Sequence, residues 1–544
     1  MKVRTSTLTL EVKGGVTASI LEASSVLEDF TDAKASWDLA YQAKQSSSGS
    51  IRFAEPNLDN KYPFQNPAFP VPSGEGFEST EVDVCTVNND YDLAWPFPKK
   101  DGIEIKEIWH LQENFSQLKK ARDSVPPAAV KIRIAHFDTG YDPSLTTYPA
   151  SLINHDLERN FVDEKTPLSA VDHFSTGLMN QPGHGSGTLS ILAGAHVKIP
   201  DYDNFDDSIG LASGIEIVPI RVSKSVILFE NQAFTNALEY VIGLYDNPAT
   251  RCHIVTMSMG GLASKDWADV VNRAYDKGIF IVTAAGNNFG RGTPTTVVYP
   301  ARFRRVVTAC GVTYDYSPYY KPFDILHPFK EMQGNFGPRA AMGHAIAAFT
   351  PNLPWAKIGC RDVVSLGGAG TSSATPQIAS AAALYYMKYF TDLDGFAEGW
   401  KKVEAIRHAL FESAAKRITG QPASDLDLYF GSGVLQAEAM LAIAPDPSKL
   451  APQEPDTVRW PLFKLLTGSK LEAFEVATED PDLEQMMELE VLQLIQQSSE
   501  LQELLDKEET PVDQLSPEKK AAFIRTLREL PETSDFLKQK LQVF

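Results

Sequence analysis

Between Ala128 and about Pro445, short apolar runs alternate with helical stretches, and this alternation leaves few folds open. The runs Val130–Phe137, His253–Met259, Ile279–Ala284 and Arg305–Val312 read as strands. They are short and largely apolar, which fits strands of a buried parallel sheet. Ser372–Phe390 and Trp400–Ala415 read as helices. Strands joined through helical crossovers pair in parallel, and the crossovers then cover both faces of the sheet. The expected fold is α/β: a three-layer α/β/α domain over residues 128–445 with a mostly parallel sheet. A small α+β unit over 1–58, a linker or wrapping arm over 59–127 and an acidic helical extension over 446–544 complete the expected organisation.

The length of 544 residues by itself suggests roughly three or four domains, and a 43% hydrophobic content allows a large core. The net charge of −20 argues against nucleic acid and against anionic lipid as partners. No apolar run reaches the roughly 18 residues of a spanning helix, so no membrane partner is expected. Met1-Lys2-Val3-Arg4-Thr5 leads into an alternating segment and not into a signal-type apolar region. Cys85, Cys252, Cys310 and Cys360 are far apart without CxxC spacing and read as free, mostly buried thiols with no metal or redox role. These observations lead to an expected cytoplasmic location; a non-Sec export route or a trimmed signal fits the same residues.

Four short segments place polar groups beside small-residue turns, in the order Asp, His, Asn, Ser. Asp138 ends an apolar strand and is followed by Thr139-Gly140, so it sits at a strand's carboxyl end, the edge where open α/β sheets build sites. An ordinary strand-end Asp reads the same way. His184 stands among Gly183, Gly185 and Gly187, which let a substrate backbone approach an imidazole; a structural histidine is the alternative. Asn287 follows the strand Ile279–Gly286 and is either a turn residue or an amide donor, with Asn288 competing for that role. Gly370-Thr371-Ser372-Ser373-Ala374-Thr375-Pro376 precedes a long apolar helix. A serine at a helix N-terminus lies in the positive end of the dipole near unpaired amides, though such serines are also plain caps. A hydroxyl nucleophile, a base, a carboxylate that orients the base and an amide for an oxyanion are what acyl transfer by a serine needs.

On these four motifs the chain resembles the subtilase (subtilisin-like serine protease) family over about residues 109–445, whose triad runs in the order Asp, His, Ser. The resemblance implies a serine endopeptidase working through an acyl-enzyme. In it Ser372 is the nucleophile, with Ser373 at the variable position; His184 is the base, Asp138 its orienter, and Asn287 the oxyanion donor beside the Ser372 amide. Met257-Ser258-Met259-Gly260-Gly261 resembles the strand that pairs with substrate. Ser258, Met259 and Gly260 would form one wall of the specificity pocket and Ala284, Ala285 and Gly286 the other, with an apolar preference at P1, the substrate residue before the scissile bond. The His184 turn departs from the commonest string: Ser186 stands where Thr is usual and Gly187 where a second His is often found.

Trp109-His110-Leu111 and Phe430-Gly431-Ser432-Gly433-Val434-Leu435-Gln436-Ala437 resemble the segments that lead into and close subtilase domains. Within residues 1–58, Thr7–Val12 and Ser50–Asn57 read as strands and Ser19–Phe30 as a helix; the last string resembles the end of the family's inhibitory propeptide, which makes a zymogen the expectation and an unrelated module the alternative. Asp201, Asp203, Asp206 and Asp207 form an acidic cluster near where family members often carry a calcium loop; no cofactor is required by the chemistry, and the cluster fits either calcium or a solvated loop. Residues 451–544 hold 20 acidic and 10 basic residues, half of the net charge. Leu483, Met486, Met487, Leu494, Leu501, Leu504 and Leu505 recur there at helical spacing, as core or as the face for a protein partner. Two further functions use the same residues: a peptide transamidase or macrocyclase on the same site, and a catalytically quiet partner-binding scaffold.

Overall fold

A computed structural model of the chain describes residues 2–4, 8–12, 33–47, 49–57, 85, 94–95, 108–126, 130–173, 181–199, 205–211, 214–226, 231–290, 294–321, 329–416, 423–467 and 480–542. The expected Ser19–Phe30 helix, most of the 59–107 segment, Asp201 and Asp203 lie outside these residues. Strands β1 (Lys2–Arg4), β2 (Leu8–Val12) and β3 (Ile51–Pro56) form an antiparallel sheet in the order β1-β2-β3, with helix α1 (Ala33–Ser46) between β2 and β3.

The central sheet holds β4 (Ile132–Asp138), β5 (Arg159–Asn160), β6 (Ile215–Arg221), β7 (Ile254–Met257), β8 (Phe280–Ala284), β9 (Val307–Val312) and β10 (Ala345–Phe349). Their spatial order is β10-β9-β8-β7-β4-β6-β5, and every registered pair is parallel. Successive side chains of a strand point to opposite faces, and here both faces are apolar. Ala135, Phe137, Val255, Met257 and Ile281 pack into one core, Ile132, Ile134, Ile254, Phe280 and Val282 into another. Helices α2 (His184–Ala193), α3 (Lys265–Lys277), α4 (Gly370–Lys388) and α5 (Gly399–Ser413) lie among the elements that cover these faces, giving the three-layer α/β/α arrangement.

The register decides where the site lies. Phe137 of β4 pairs with Met257 of β7, and Met257 with Thr283 of β8. Asp138, Ser258 and Ala284 therefore sit side by side at one carboxyl edge, on strands about 4.8 Å apart.

The C-terminal segment is helical: α6 (Pro481–Gln497), α7 (Ser499–Leu504), α8 (Pro517–Glu529) and α9 (Asp535–Leu541). Its starts follow from the sequence, since Asp480 and Ser516 cap helices with proline in the first turn. Met486, Met487, Leu494, Leu501 and Leu505 are buried in the same core as Leu8, Trp37, Tyr41 and Phe53 of the N-terminal unit. Side chains seal this junction: Trp37 Nε1 donates to Gln493 Oε1 at 2.9 Å, and the Tyr41 hydroxyl donates to Glu490 Oε2 at 2.8 Å. Glu55 of β3 accepts from the amides of Lys265 (2.9 Å) and Asp266 (2.8 Å), capping α3.

One expectation is corrected. Cys85 and Cys360 are joined in a disulfide with their Cα atoms 5.4 Å apart, and only Cys252 and Cys310 are free buried thiols. Two cysteines 275 residues apart carry no local spacing signal, so their pairing is set by the fold alone. Disulfides persist in oxidising surroundings, which removes the cysteine argument for a reducing compartment. Among the described residues, no helix is long and apolar enough to cross a membrane.

Candidate active site

Asp138 is the last residue of β4 and is 1% exposed. Gly140, with φ +111°, turns the chain away; a Cβ there would sit 2.5 Å from the Ala170 carbonyl oxygen, so the turn demands glycine. His184 opens α2 and is itself buried, and its Nδ1 lies 2.7 Å from Asp138 Oδ1. The same oxygen accepts the Thr139 amide at 2.8 Å, while Oδ2 accepts the Thr188 hydroxyl at 3.0 Å. Burial raises the pKa of the Asp138 carboxyl, but the charge of His184 and the hydrogen bonds from His184 and the Thr139 N–H outweigh it and hold the group below the usual carboxylate range.

Ser372 lies in the first turn of α4 and is 1% exposed, a buried hydroxyl and not one on an open turn. It is not the cap: Ala369 occupies that position, and no side chain caps the helix. Ser372 is hooked to the end of β7 in both directions. Its hydroxyl donates to the Ser258 carbonyl at 3.3 Å, and its carbonyl accepts the Ser258 hydroxyl at 2.9 Å. The neighbouring Ser373 hydroxyl is turned back to the Ala369 carbonyl at 2.9 Å, so the two serine hydroxyls point to different partners. Because Ser258 follows β7 and Asp138 ends β4, the hook brings Ser372 to the strand end next to the Asp138–His184 pair.

Asn287 begins a short strand, Asn287–Gly290, that pairs with Phe329–Gly334. Its Oδ1 accepts from the Thr371 amide (3.0 Å) and lies 3.2 Å from the Thr371 hydroxyl. With Oδ1 committed one residue before Ser372, the two Nδ2 hydrogens remain for another acceptor. Asn288 is different: it is fully buried, and its Nδ2 donates to the Gly334 carbonyl (3.2 Å) and Asn335 Oδ1 (2.9 Å), a structural role.

Ser258, Met259, Ala284 and Ala285 are buried, with Gly260 and Gly286 half-buried between them. A Cβ on Gly260 would meet Val298 Cγ2 at 2.2 Å, and one on Gly286 would meet Val298 Cγ1 at 3.0 Å, so Val298 is wedged between the two segments. The Gly260 amide is already given to the Val226 carbonyl at 3.3 Å, so that donor of the strand edge is occupied.

Three neighbours lie outside the residues that the sequence motifs single out. Thr188 is four residues after His184, hence on the same helix face, and i,i+4 spacing was enough to find it. His136 lies beneath: the Thr188 hydroxyl donates to Asp138 and accepts from His136 Nε2 at 2.8 Å. Burial lowers the His136 pKa, so it stays neutral. Trp355 stands edge-on to the His184 ring at 5.5 Å, and a Cβ on Gly187 would lie 1.8 Å from its Cε2. The indole thus fills the space that a larger residue at 187 would need.

The acidic cluster is only partly described. Asp206 faces Lys198 at 3.2 Å and His196, and Asp207 faces Lys119 at 2.9 Å and Arg122 at 3.7 Å. Both carboxylates are held by cations. Among the described residues, no group of three or more His, Cys, Asp or Glu is arranged to hold a metal ion.

A family model described as the subtilase family matches residues 130–433, more than half of the chain. Subtilisin DY from Bacillus licheniformis is 25% identical over 262 residues, 48% of this chain and 78% of that protein. Subtilisin E from Bacillus subtilis (strain 168) is 25% identical over 254 residues, 45% of this chain and 55% of that protein, so the chain spans about half of that relative's length. Among solved structures, that of the prenylagaramide maturation protease PagA covers 60% of this chain and 99% of its own, at 18% identity and a TM-score of 0.42. The family match takes in both strand ends that hold the buried Asp138–His184 pair and Ser372, and with it the chain belongs to the subtilase family of serine peptidases.

Proposed function

We propose that the protein is a serine endopeptidase that hydrolyses peptide bonds through an acyl-enzyme, with Ser372 as nucleophile. The observation that carries this reading is the register of β4 against β7, which brings the buried Asp138–His184 pair beside the serine hooked to Ser258. In the resting arrangement the Ser372 hydroxyl points to the Ser258 carbonyl. Attack requires it to turn toward His184 Nε2, which takes its proton as the oxygen adds to the substrate carbonyl. Asp138 holds Nδ1–H and stabilises the imidazolium that forms. The developing oxyanion is received by the Ser372 amide, a first-turn N–H with no intrahelical acceptor, and by Asn287 Nδ2. His184 then returns the proton to the leaving amine, and water repeats the sequence on the acyl-enzyme.

Ser372→Ala tests the assignment. Peptide turnover is expected to fall by at least about 10⁴-fold with the melting temperature unchanged and with loss of labelling by a fluorophosphonate probe. Retained turnover in that variant refutes Ser372 as nucleophile. Product mass settles the fate of the acyl-enzyme, because hydrolysis adds one water and transfer to an amine adds none.

A further inference from the structure

We infer that the C-terminal extension is a working part of the substrate pocket, and that Gln502, with Gln493 and Gln496, positions the two walls that select the P1 side chain. The inference rests on the proteolytic reading of the same site. It starts from Val298, wedged between Gly260 and Gly286. The width of a pocket between Ser258–Gly260 and Ala284–Gly286 is set by where Val298 sits. Val298 is held by the Ala285 carbonyl, which accepts its amide at 3.0 Å, and by the pairing of its neighbour Tyr299 with Gly261.

Both loops that carry these contacts are gripped by the extension. Gln502 is 2% exposed; its Oε1 accepts the Thr295 amide at 3.1 Å, and its Nε2 donates to the Thr296 hydroxyl at 2.9 Å. The Thr296 carbonyl in turn accepts Asn335 Nδ2 at 2.9 Å, and the Asn335 amide donates to the Gly286 carbonyl at 2.9 Å. Three hydrogen bonds, through Thr296 and Asn335, thus link one glutamine to the Ala284–Gly286 wall. On the other wall, Gln496 Oε1 accepts the Ala263 amide and Gln493 Nε2 donates to the Ala263 carbonyl, each at 2.7 Å. Ala263 is three residues beyond Gly260. Arg302, just after the Val298 turn, is half-buried against Glu508 in a two-point ion pair at 2.8 and 2.6 Å. Buried amide side chains that satisfy backbone donors and acceptors fix loop geometry, because an alternative geometry strands those groups. The family match ends at residue 433, so this grip comes from residues beyond it.

Gln493 adds a second connection. The side chain that holds Ala263 also accepts Trp37 Nε1, so the pocket wall and the N-terminal unit share one buried amide.

The test measures binding, which needs no turnover. Full-length protein carrying Ser372→Ala is titrated with peptides that differ only in the P1 residue, Ala, Leu or Phe. Adding Gln502→Met keeps the side-chain volume and removes both hydrogen bonds. The Phe-to-Ala ratio of dissociation constants is expected to change by about tenfold, and Gln502→Glu is expected to restore it, since a carboxylate accepts both the Thr295 amide and the Thr296 hydroxyl. Gln496→Met reports on the opposite wall and serves where Gln502→Met fails to fold. An unchanged ratio, an equal weakening of all three peptides, or no binding by any of them overturns the inference. Peptide hydrolysis by the chain that retains Ser372 tests the proteolytic reading separately, so the two failures are told apart.

Discussion

Two buried polar clusters in this molecule are built in different ways. At the sheet edge, Asp138, His184, Ser258 and Ser372 are delivered by backbone: each sits at a strand end or in the first turn of a helix, and neighbouring small residues allow the turn. At the junction of the N-terminal unit and the extension, Trp37 meets Gln493 and Tyr41 meets Glu490 across 456 and 449 residues of sequence, and Ser534, the cap of α9, joins Glu490. On the proposed function the first cluster serves proton transfer. The second is organised around saturation: Glu490, fully buried, accepts from the Tyr41 hydroxyl at 2.8 Å, the Ser534 hydroxyl at 2.9 Å and the Ser534 amide at 2.8 Å. Saturating every group makes a fixed joint, whereas the proposed function requires the Ser372 hydroxyl to turn from one acceptor to another.

The largest expected effect tests whether the edge cluster is a proton-transfer unit. Asp138→Asn keeps the shape but cannot hold His184 in the tautomer that accepts the serine proton, and kcat should fall about 10⁴-fold. A loss below tenfold would place the pair on the saturated, structural side of the comparison. Next, Asn287→Ala removes the second oxyanion donor while leaving the Ser372 amide. By comparison with the matching asparagine in subtilisin, a drop in kcat of about 10²–10³ with little change in KM is expected. A change in KM alone would mean that Asn287 only buttresses Thr371.

The smallest effect probes the joint. Burial first, and then the charge of Asp38, push the Glu490 carboxyl up from 4.5 to about 7, against the lowering by the Ser534 and Tyr41 hydrogen bonds. Glu490 binds its proton more tightly folded than unfolded. The stability this confers is fully present below about pH 4.5 and is lost as pH rises through about 7, a change of roughly 3 kcal/mol. Glu490→Gln should flatten the fall in melting temperature between pH 5 and 8. An unaltered slope would remove Glu490 as its source.

The contrast between the clusters also explains what the sequence could tell. The β/α alternation and the four turns are local patterns, since glycine beside a polar residue at a strand end is visible within six residues. The places of Asp138 at a strand end and of His184 and Ser372 in the first turn of a helix are legible for that reason. Helix α1 was not read, because its Ala33–Ser46 stretch mixes polar and apolar residues and its buried face, Trp37, Ala40, Tyr41 and Lys44, is defined only by the extension that covers it. The capture of the Gly260 amide by Val226 and the filling of the space at Gly187 by Trp355 are equally non-local. The apolar stripe of the extension shows its helical period but not its destination, which depends on three separate parts of the chain, with Trp37 and Ala263 both meeting Gln493.

The Cys85–Cys360 bond gives the polypeptide a closed covalent loop that contains every strand of the central sheet, while Ser372 lies outside it. Nicking the backbone anywhere from residue 86 to 359 leaves one molecule, with both pieces still joined through sulfur. A nick between residues 58 and 85 instead leaves residues 1–58 held by noncovalent contacts alone. A fresh amino terminus between 86 and 108 would therefore not mean that the upstream piece had departed, and only electrophoresis with and without a thiol reductant would separate the two situations.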